Sequence, residues 1–455
     1  MTVRRLLLDG GPVTSLDAYI ERGGGQAIAL ARQLGVPGVL DEVTLSGLRG
    51  RGGAGFPVGL KWQSIADGGD GVGQRFVVAN GAEGEPGTFK DRSLLRHNPY
   101  QLVEGLLIAA WVVGANRTFI ALKQSFEREA ELVTRAVQEI SAAGWLSDIG
   151  VELVRGPDEY LFGEEKALLE VIEGEDPLPR VLPPYLYGLF TANPQMGWSA
   201  GASNPGERRV ASNPTLVNNV ETLSAIPSIV RQGGEWYRSF GTVESPGTIV
   251  CTVSGDTRRH GVEEFELGTP INEIIETIGG GMPDGREIAY VLSGVSNPVL
   301  RPDDLATAAS YEAVSEIGSG LGTGGFMVFD DRTDPVELAA AVSRFLYVES
   351  CGQCPACKLG TEQVTTQLES PSGTPVDLGV VAGRLAAVAD ASRCYLPTQE
   401  QRVIQSLIPA MRGGRAGAQP RDLLITKIID LVDGRFTLDT KQRTKRPDWT
   451  FGRTH

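Results

Sequence analysis

The stretch RTFIALKQSFEREAELVTRAVQEISAAG, residues 117–144, changes its period part-way along. Its first seven residues form an apolar run of strand length. From Ser125 onward the apolar positions recur every three or four residues, as on one face of a helix. A strand feeding directly into a helix is half of a βαβ unit, and the same alternation surrounds it. RFVVAN (75–80) reads as a strand that ends in the loop GAEGEPGTFKDR, residues 99–114 as a helix, and VELVRG (151–156) as another strand. A loop–helix unit, EYLFGEEKALLEVIEG (159–174), follows, and residues 15–35 read as two short helices split by GGG. This alternation, continuing to about residue 235, predicts an α/β layer domain over 1–240. The Gly-, Ser-, Asn- and Pro-rich segment 188–213 is expected to be a long surface loop.

Beyond residue 246 the pattern changes. GTIVCTVSGD (247–256) alternates as a half-buried strand does, GVEEFEL (261–267) and EIAYVLSG (287–294) add two more, and a short amphipathic helix lies between them. A small β-rich domain over 246–328 fits. From residue 334 the signal is helical: PVELAAAVSRFLYVES begins with Pro in its first turn, and further helices are expected at 361–369, 377–392, 398–412 and 420–432. Residues 334–434 are therefore read as a helical bundle.

The chain has 455 residues and a net charge of −14, which argues against nucleic acid as a main partner. Its longest apolar runs are too short and interrupted for a membrane span. The start, MTVRRLLLDGGP, lacks the apolar length and cleavage site of a secretory signal, so a cytoplasmic location is expected. Residues 435–455 form a basic tail with six Lys/Arg and two Asp, either solvated or a docking arm for an acidic partner.

Four of the five cysteines lie after residue 350, which favours metal binding over a disulfide framework. In ESCGQCPACKLG (349–360), Cys351, Cys354 and Cys357 stand at equal spacing, and Cys394 is the remaining candidate ligand in that region. Three clustered thiols are expected in a loop wrapped around a compact centre. Four thiolates suit a [4Fe–4S] cluster. Structural zinc is the competing reading, although such sites usually come as two CxxC pairs or as CxxC with His, and the whole chain has three His. Cys251 reads as a core residue of a strand.

GRGGAG (50–55) matches G-x-G-x-x-G but does not follow a convincing strand, so alone it is a weak signal. Its surroundings add Arg49, Arg51 and Lys61 as cations, Phe56 as an aromatic face, Asn80, Glu83 and Glu85 after a strand, and Glu164 and Glu165 at a helix start. Glycine N–H groups and helix N-termini can hold phosphates while carboxylates accept ribose hydroxyls, an arrangement that favours NADH over NADPH. LVNNVETL (216–223) contributes two Asn whose amides suit heterocycle edges or phosphate oxygens. Taken singly, each acidic pair also fits a solvated loop or helix N-terminus, and the Asn pair a helix cap.

These motifs together resemble the NADH-oxidising flavoprotein component of respiratory complex I, a module shared with NAD-linked hydrogenases and formate dehydrogenases. The resemblance runs from about residue 15 to 412 and rests on GLRGRGGAGFPVGLKW, ANGAEGEPGTFKDR, YLFGEEKALLEVIEG, NPTLVNNVETL and ESCGQCPACKLG. It implies a Rossmann-like α/β domain for FMN and NADH, a ubiquitin-like (β-grasp) domain, and a C-terminal helical bundle with an iron–sulfur cluster. FMN contacts then fall on Gly50, Arg51, Gly52, Lys61 and Asn80. Further FMN contacts fall on Tyr160, Gly163 and Glu164, and on Val217, Asn218, Asn219 and Thr222. NADH contacts fall on Phe56, Glu83, Glu85, Glu165 and Tyr185, and the cluster ligands on Cys351, Cys354, Cys357 and Cys394. The resemblance further implies a hetero-oligomer containing other iron–sulfur subunits, including a small [2Fe–2S] thioredoxin-like one. The chain departs from the family pattern at Ala82 (usually Asp), Ser64 (an aromatic), Leu182 (Lys), and Pro355-Ala356 in the cysteine clip. Two readings follow: an FMN-dependent NADH dehydrogenase subunit, or an FMN/Fe–S relay that has lost its NADH site.

Overall fold

A computed structural model describes residues 5–68, 73–146, 148–191, 212–370, 375–411, 423, 425–439 and 444–446. The chain divides into two units. The first comprises 1–83, 90–250 and 264–268, and the second 84–89, 251–263 and 269–455.

The first unit is a mixed α/β fold around a parallel sheet. Its strands are β1 (Phe76–Gly81), β2 (Arg117–Lys123), β3 (Gly150–Gly156) and β4 (Thr215–Asn219), in the order β3-β2-β1-β4. Val77 and Ala79 enter one core with Trp62, Val103 and Leu106, while Phe76 and Val78 enter a second with Phe119, Phe162 and Leu168. That alternation is the pleat. With both faces covered, the strands read as apolar runs. Helix Pro99–Val113, capped by Asn98, is buried on nearly every side. The helix that starts at Gln26 continues past the expected end at residue 35, through a kink at Gly35 (φ 73°, ψ 168°), to Ser46. Most of the loop expected over 188–213, residues 192–211, lies outside the described residues.

A mixed sheet in the order β6-β5-β8-β7 is formed by β5 (Thr248–Gly255), β6 (Gly261–Glu266), β7 (Ile288–Ser293) and β8 (Gly325–Asp330). From Thr252 onward β5 runs parallel to β8, and β7 is antiparallel to β8. The fully buried β8 had no counterpart in the sequence reading. Helices Pro335–Glu349, Pro355–Leu368, Leu378–Ala387 and Leu396–Met411 follow. The helix expected at 420–432 is not formed over its last residues: β9 (Ile428–Val432) pairs antiparallel with β10 (Arg435–Leu438). The reason is local. Asp433 (φ 49°) and Gly434 (φ 71°) take the positive-φ conformations of a two-residue hairpin turn between β-branched and apolar residues. The basic tail therefore begins in a strand.

Candidate cofactor sites

From β1 the chain steps outward to β2 and β3, then returns to the other side of β1 for β4. In open parallel sheets, ligands sit at the carboxyl ends of strands beside such a reversal. Asn80 and Asn219 face one another in register there. The Asn219 amide donates to Asn80 O (3.3 Å), and the Asn80 amide donates to Gly163 O (2.9 Å). The turn Tyr160–Gly163 is thereby drawn to the end of β1. An added Cβ on Gly163 would meet Ala82 O at 2.9 Å, so the approach requires glycine.

The glycine loop joins the same place. It follows a helix, not a strand, which explains why the dinucleotide fingerprint read weakly. Gly47 (φ 65°) ends the helix, Gly50 N donates to Phe56 O (2.8 Å), Val58 N donates to Leu48 O (2.9 Å), and helix Val58–Ala66 begins. Arg51 N donates to Thr222 Oγ1 (2.9 Å). A Cβ on Gly52 would meet only Asn219 Cβ, at 3.5 Å, and one on Gly50 only Phe56 backbone, so this stretch leaves room for a guest. Lys61 Nζ donates to Val217 O (2.7 Å) and pairs with Glu165 (3.0 Å), and Trp62 Nε1 donates to Asn218 Oδ1 (2.8 Å). The loop, the Tyr160 turn and the β4 end are thus linked by hydrogen bonds.

Some candidates are engaged elsewhere. The Arg51 guanidinium is buried and donates to Arg49 O (2.6 Å), Thr248 O (2.8 Å) and Tyr237 Oη (3.2 Å), so it braces the loop. Glu164 caps helix Glu165–Ile172, accepting from the N–H groups of Lys166 and Ala167, and burial pushes its carboxyl up to about 7. Glu83 is buried, accepts from Asp91 N (2.9 Å) and pairs with Arg92 (3.0 Å). Phe56 and Tyr185 are exposed. Glu85 lies in the second unit, accepting from Val295 N.

Lys90, Asp91 and Glu221 were not singled out in the sequence. Buried Lys90 pairs with Asp91 (2.6 Å) and Glu221 (2.8 Å) and donates to Asn219 Oδ1 (3.1 Å). Burial opposes its charge, but the two carboxylates hold its pKa raised. Burial likewise pushes Asp91 up to about 6, against the pull of Lys90. The legible signal was FKDR, three charges placed directly after a strand–loop with no apolar stripe to expose them.

In the second unit, Cys351 follows helix Pro335–Glu349. Gly352 turns the chain at φ 79°, Cys354 is the N-cap of helix Pro355–Leu368, and Cys357 lies in its first turn. The clip is therefore part loop and part helix, which corrects the expectation of a loop alone. All three thiols are buried. Arg393 N donates to Cys354 Sγ (3.4 Å) and Arg393 Nη1 to Gln353 Oε1 (2.6 Å), bringing the turn that carries Cys394 to the clip. Burial, reinforced by Cys351 and Cys354, pushes Cys357 up to about 12. Among the described residues no three Cys, His, Asp or Glu are drawn together closely enough to hold one metal ion. The donors gathered here are thiols, the ligand type of an iron–sulfur cluster. Cys251 is buried on β5, where the sequence placed it.

Comparison with known families agrees with this geometry. Residues 43–228 match the Nuo51 FMN-binding domain, and residues 337–413 the iron–sulfur binding region of NADH-ubiquinone oxidoreductase F. An F-type NADH-quinone oxidoreductase subunit of Rhizobium meliloti (strain 1021) is 34% identical over 79% of this chain and 83% of its own length. The F-type subunit of the same enzyme in Rickettsia typhi (strain ATCC VR-144 / Wilmington) is 36% identical over 71% and 74%. The crystal structure of an NAD+-reducing [NiFe]-hydrogenase in the H2-reduced state superposes with a TM-score of 0.72 at 31% identity, covering 90% of this chain and 68% of that one. With a glycine loop and paired asparagines at the sheet reversal and a sulfur-only clip further along the sequence, the chain belongs to the family of F-type NADH-quinone oxidoreductase subunits, NADH dehydrogenase-type oxidoreductases with FMN and a [4Fe–4S] cluster.

Proposed function

We propose that this chain accepts a hydride from NADH at an FMN bound beside the β1–β4 reversal, and that the electrons leave singly through a [4Fe–4S] cluster to partner subunits. The flavin supplies the two-electron to one-electron conversion when bound. The protein's part is to bind, orient and exclude water. Lys61 and the glycine loop around Gly50–Gly52 suit the phosphate, with the Gly50 and Arg51 N–H groups holding the loop itself. Asn80, Asn218 and Asn219, with Tyr160, Gly163 and Thr222, suit the heterocycle and ribityl edges. Phe56 and Tyr185 offer aromatic faces to NADH, and Glu165 a carboxylate for a ribose; Glu83 and Glu85 complete the assigned NADH contacts. Cys351, Cys354, Cys357 and Cys394 are the assigned cluster ligands.

The carrying observation is that one hydrogen-bonded set at the sheet reversal joins the glycine loop, the Tyr160 turn and the Asn80–Asn219 pair. The reading extends to three parts: the FMN/NADH domain over 1–240, a β-grasp domain over 246–328, and a helical cluster domain from 334 that ends before β9. It extends also to a cytoplasmic, hetero-oligomeric complex with a [2Fe–2S] thioredoxin-like neighbour. Among the described residues no helix is long and apolar enough to cross a membrane.

A second reading, an FMN/Fe–S relay with another electron donor, is favoured by Ala82, Ser64 and Leu182 and by the closure of Glu83 onto Arg92. Anaerobic NADH titration separates the two. Bleaching of the flavin band by NADH supports the first. Reduction by dithionite but not by NADH overturns it in favour of the relay.

A further inference from the structure

Lys427, Phe436 and Lys445 fasten the C-terminal segment to its own unit. Lys427 pairs with buried Glu349 (3.0 Å). Phe436 on β10 stacks against His260 (ring centroids 5.4 Å apart, planes 11° apart) and lies 6.1 Å from the Phe89 ring. Lys445 Nζ donates to Tyr347 O (2.9 Å), to Ser350 Oγ (2.6 Å) and to Ser350 O, and sits 5.3 Å from the Tyr347 ring centroid. Those of Lys427 and Lys445 close on Glu349 and Ser350, the residues immediately before Cys351.

The acceptors determine what Lys445 can do. Tyr347 O and Ser350 O lie at the carboxyl end of helix Pro335–Glu349, where Tyr347 O also accepts from Ser350 N (3.3 Å) and Ser350 Oγ (2.9 Å). An ammonium there completes the helix end and suits its dipole. Lys427 has Glu349 as an ionic partner, whereas all three hydrogen bonds of Lys445 go to neutral oxygens. Its positive charge faces the thiols of Cys351 and Cys357 as well as Glu349, one residue from the first cysteine.

We propose that Lys445 is a positioning residue for the iron–sulfur site: it holds the backbone that presents Cys351, and its charge raises the reduction potential of the cluster. This rests on the cluster assignment above. A cube held by four thiolates is anionic and gains one further negative charge when it accepts one electron, so a fixed nearby cation stabilises the reduced form more than the oxidised form.

The test is a dye-mediated potentiometric titration of the purified full-length chain, read by cluster EPR, with iron and sulfide analysis of each sample. K445Q should move the cluster midpoint downward, K445R should stay near wild type, and the flavin midpoint should be unmoved in both. Loss of iron from K445Q with retention in K445R would equally support the assignment. An unmoved midpoint in K445Q with iron content intact would overturn it, as would equal shifts in K445Q and K445R. Absence of iron from the wild-type chain would instead overturn the cluster assignment on which the inference rests.

Discussion

At the β1–β4 reversal the buried charges answer one another: Lys90 with Asp91 and Glu221, Arg92 with Glu83, and Lys61 with Glu165. Around the cysteine clip burial weighs more heavily. It pushes Cys351 and Cys357 up, although Gln353 and Lys445 oppose it at Cys351 and Lys445 at Cys357, and Glu400 is fully buried with one carboxyl oxygen unpartnered among the described residues. In the flavin region each of these buried cations has a carboxylate within the bare protein. The cysteine region is complete only once iron is bound, because a metal ion keeps thiolates ionised that burial would otherwise protonate. One region is thus an organised receptor, while in the other the ligand is part of the structure.

The largest test of this contrast is C354A. Iron and the cluster EPR signal should fall to background, and the helical region should lose on the order of several kcal/mol, while flavin bleaching by NADH persists. Calorimetry should show one transition displaced and the other unmoved. Loss of both together would break the contrast. Next is K90M, which leaves Asp91 and Glu221 buried without their cation. A penalty of about 3–5 kcal/mol is expected, accompanied by flavin loss, with the cluster EPR signal retained as the check.

A smaller and pH-dependent effect belongs to Glu400. Its Oε1 accepts from Ser343 Oγ (2.6 Å), but burial outweighs that bond and pushes the carboxyl from 4.5 up to about 8. Here the folded state holds the proton more tightly than the unfolded one. Stability is therefore fully present below about pH 4.5, falls as pH rises toward 8, and levels off beyond. E400Q should unfold later than wild type at pH 8, by about 1–3 kcal/mol after local relaxation, with the difference vanishing below about pH 4.5. Denaturant melts at the two pH values measure it; an equal gain at both would discard the assignment. The smallest effect is T222V. It removes the acceptor of Arg51 N–H, costs about 1 kcal/mol, and should weaken flavin retention several-fold without altering the EPR signal.

The α/β layer was legible because an apolar run of strand length gives way to a period of 3.6 in residues 117–144, and the cysteine spacing was legible because thiols are scarce in this chain. The site was legible as motifs but not as a place. Nothing local says that Asn80 and Asn219, far apart in sequence, end adjacent strands, since strand order is decided by the return of β4 to the far side of β1. Arg51 looked like a phosphate cation, yet its guanidinium is turned inward to Thr248 and Tyr237. β9 was misread because KIIDLVDG places apolar residues at intervals that a helix also satisfies. The Asp433-Gly434 turn signal should have decided it.

Cys354 occupies the position where Ser, Thr or Asp usually begins a helix, and its side chain caps none of the first-turn amides. Pro355, at the next position, has no N–H to offer. The opening turn of Pro355–Leu368 consequently lacks the local latch most helices carry, so in iron-free protein it should be among the first backbone to exchange amide hydrogen with solvent. Deuterium uptake at residues 356–358 would then act as a built-in gauge of how much of a preparation carries iron.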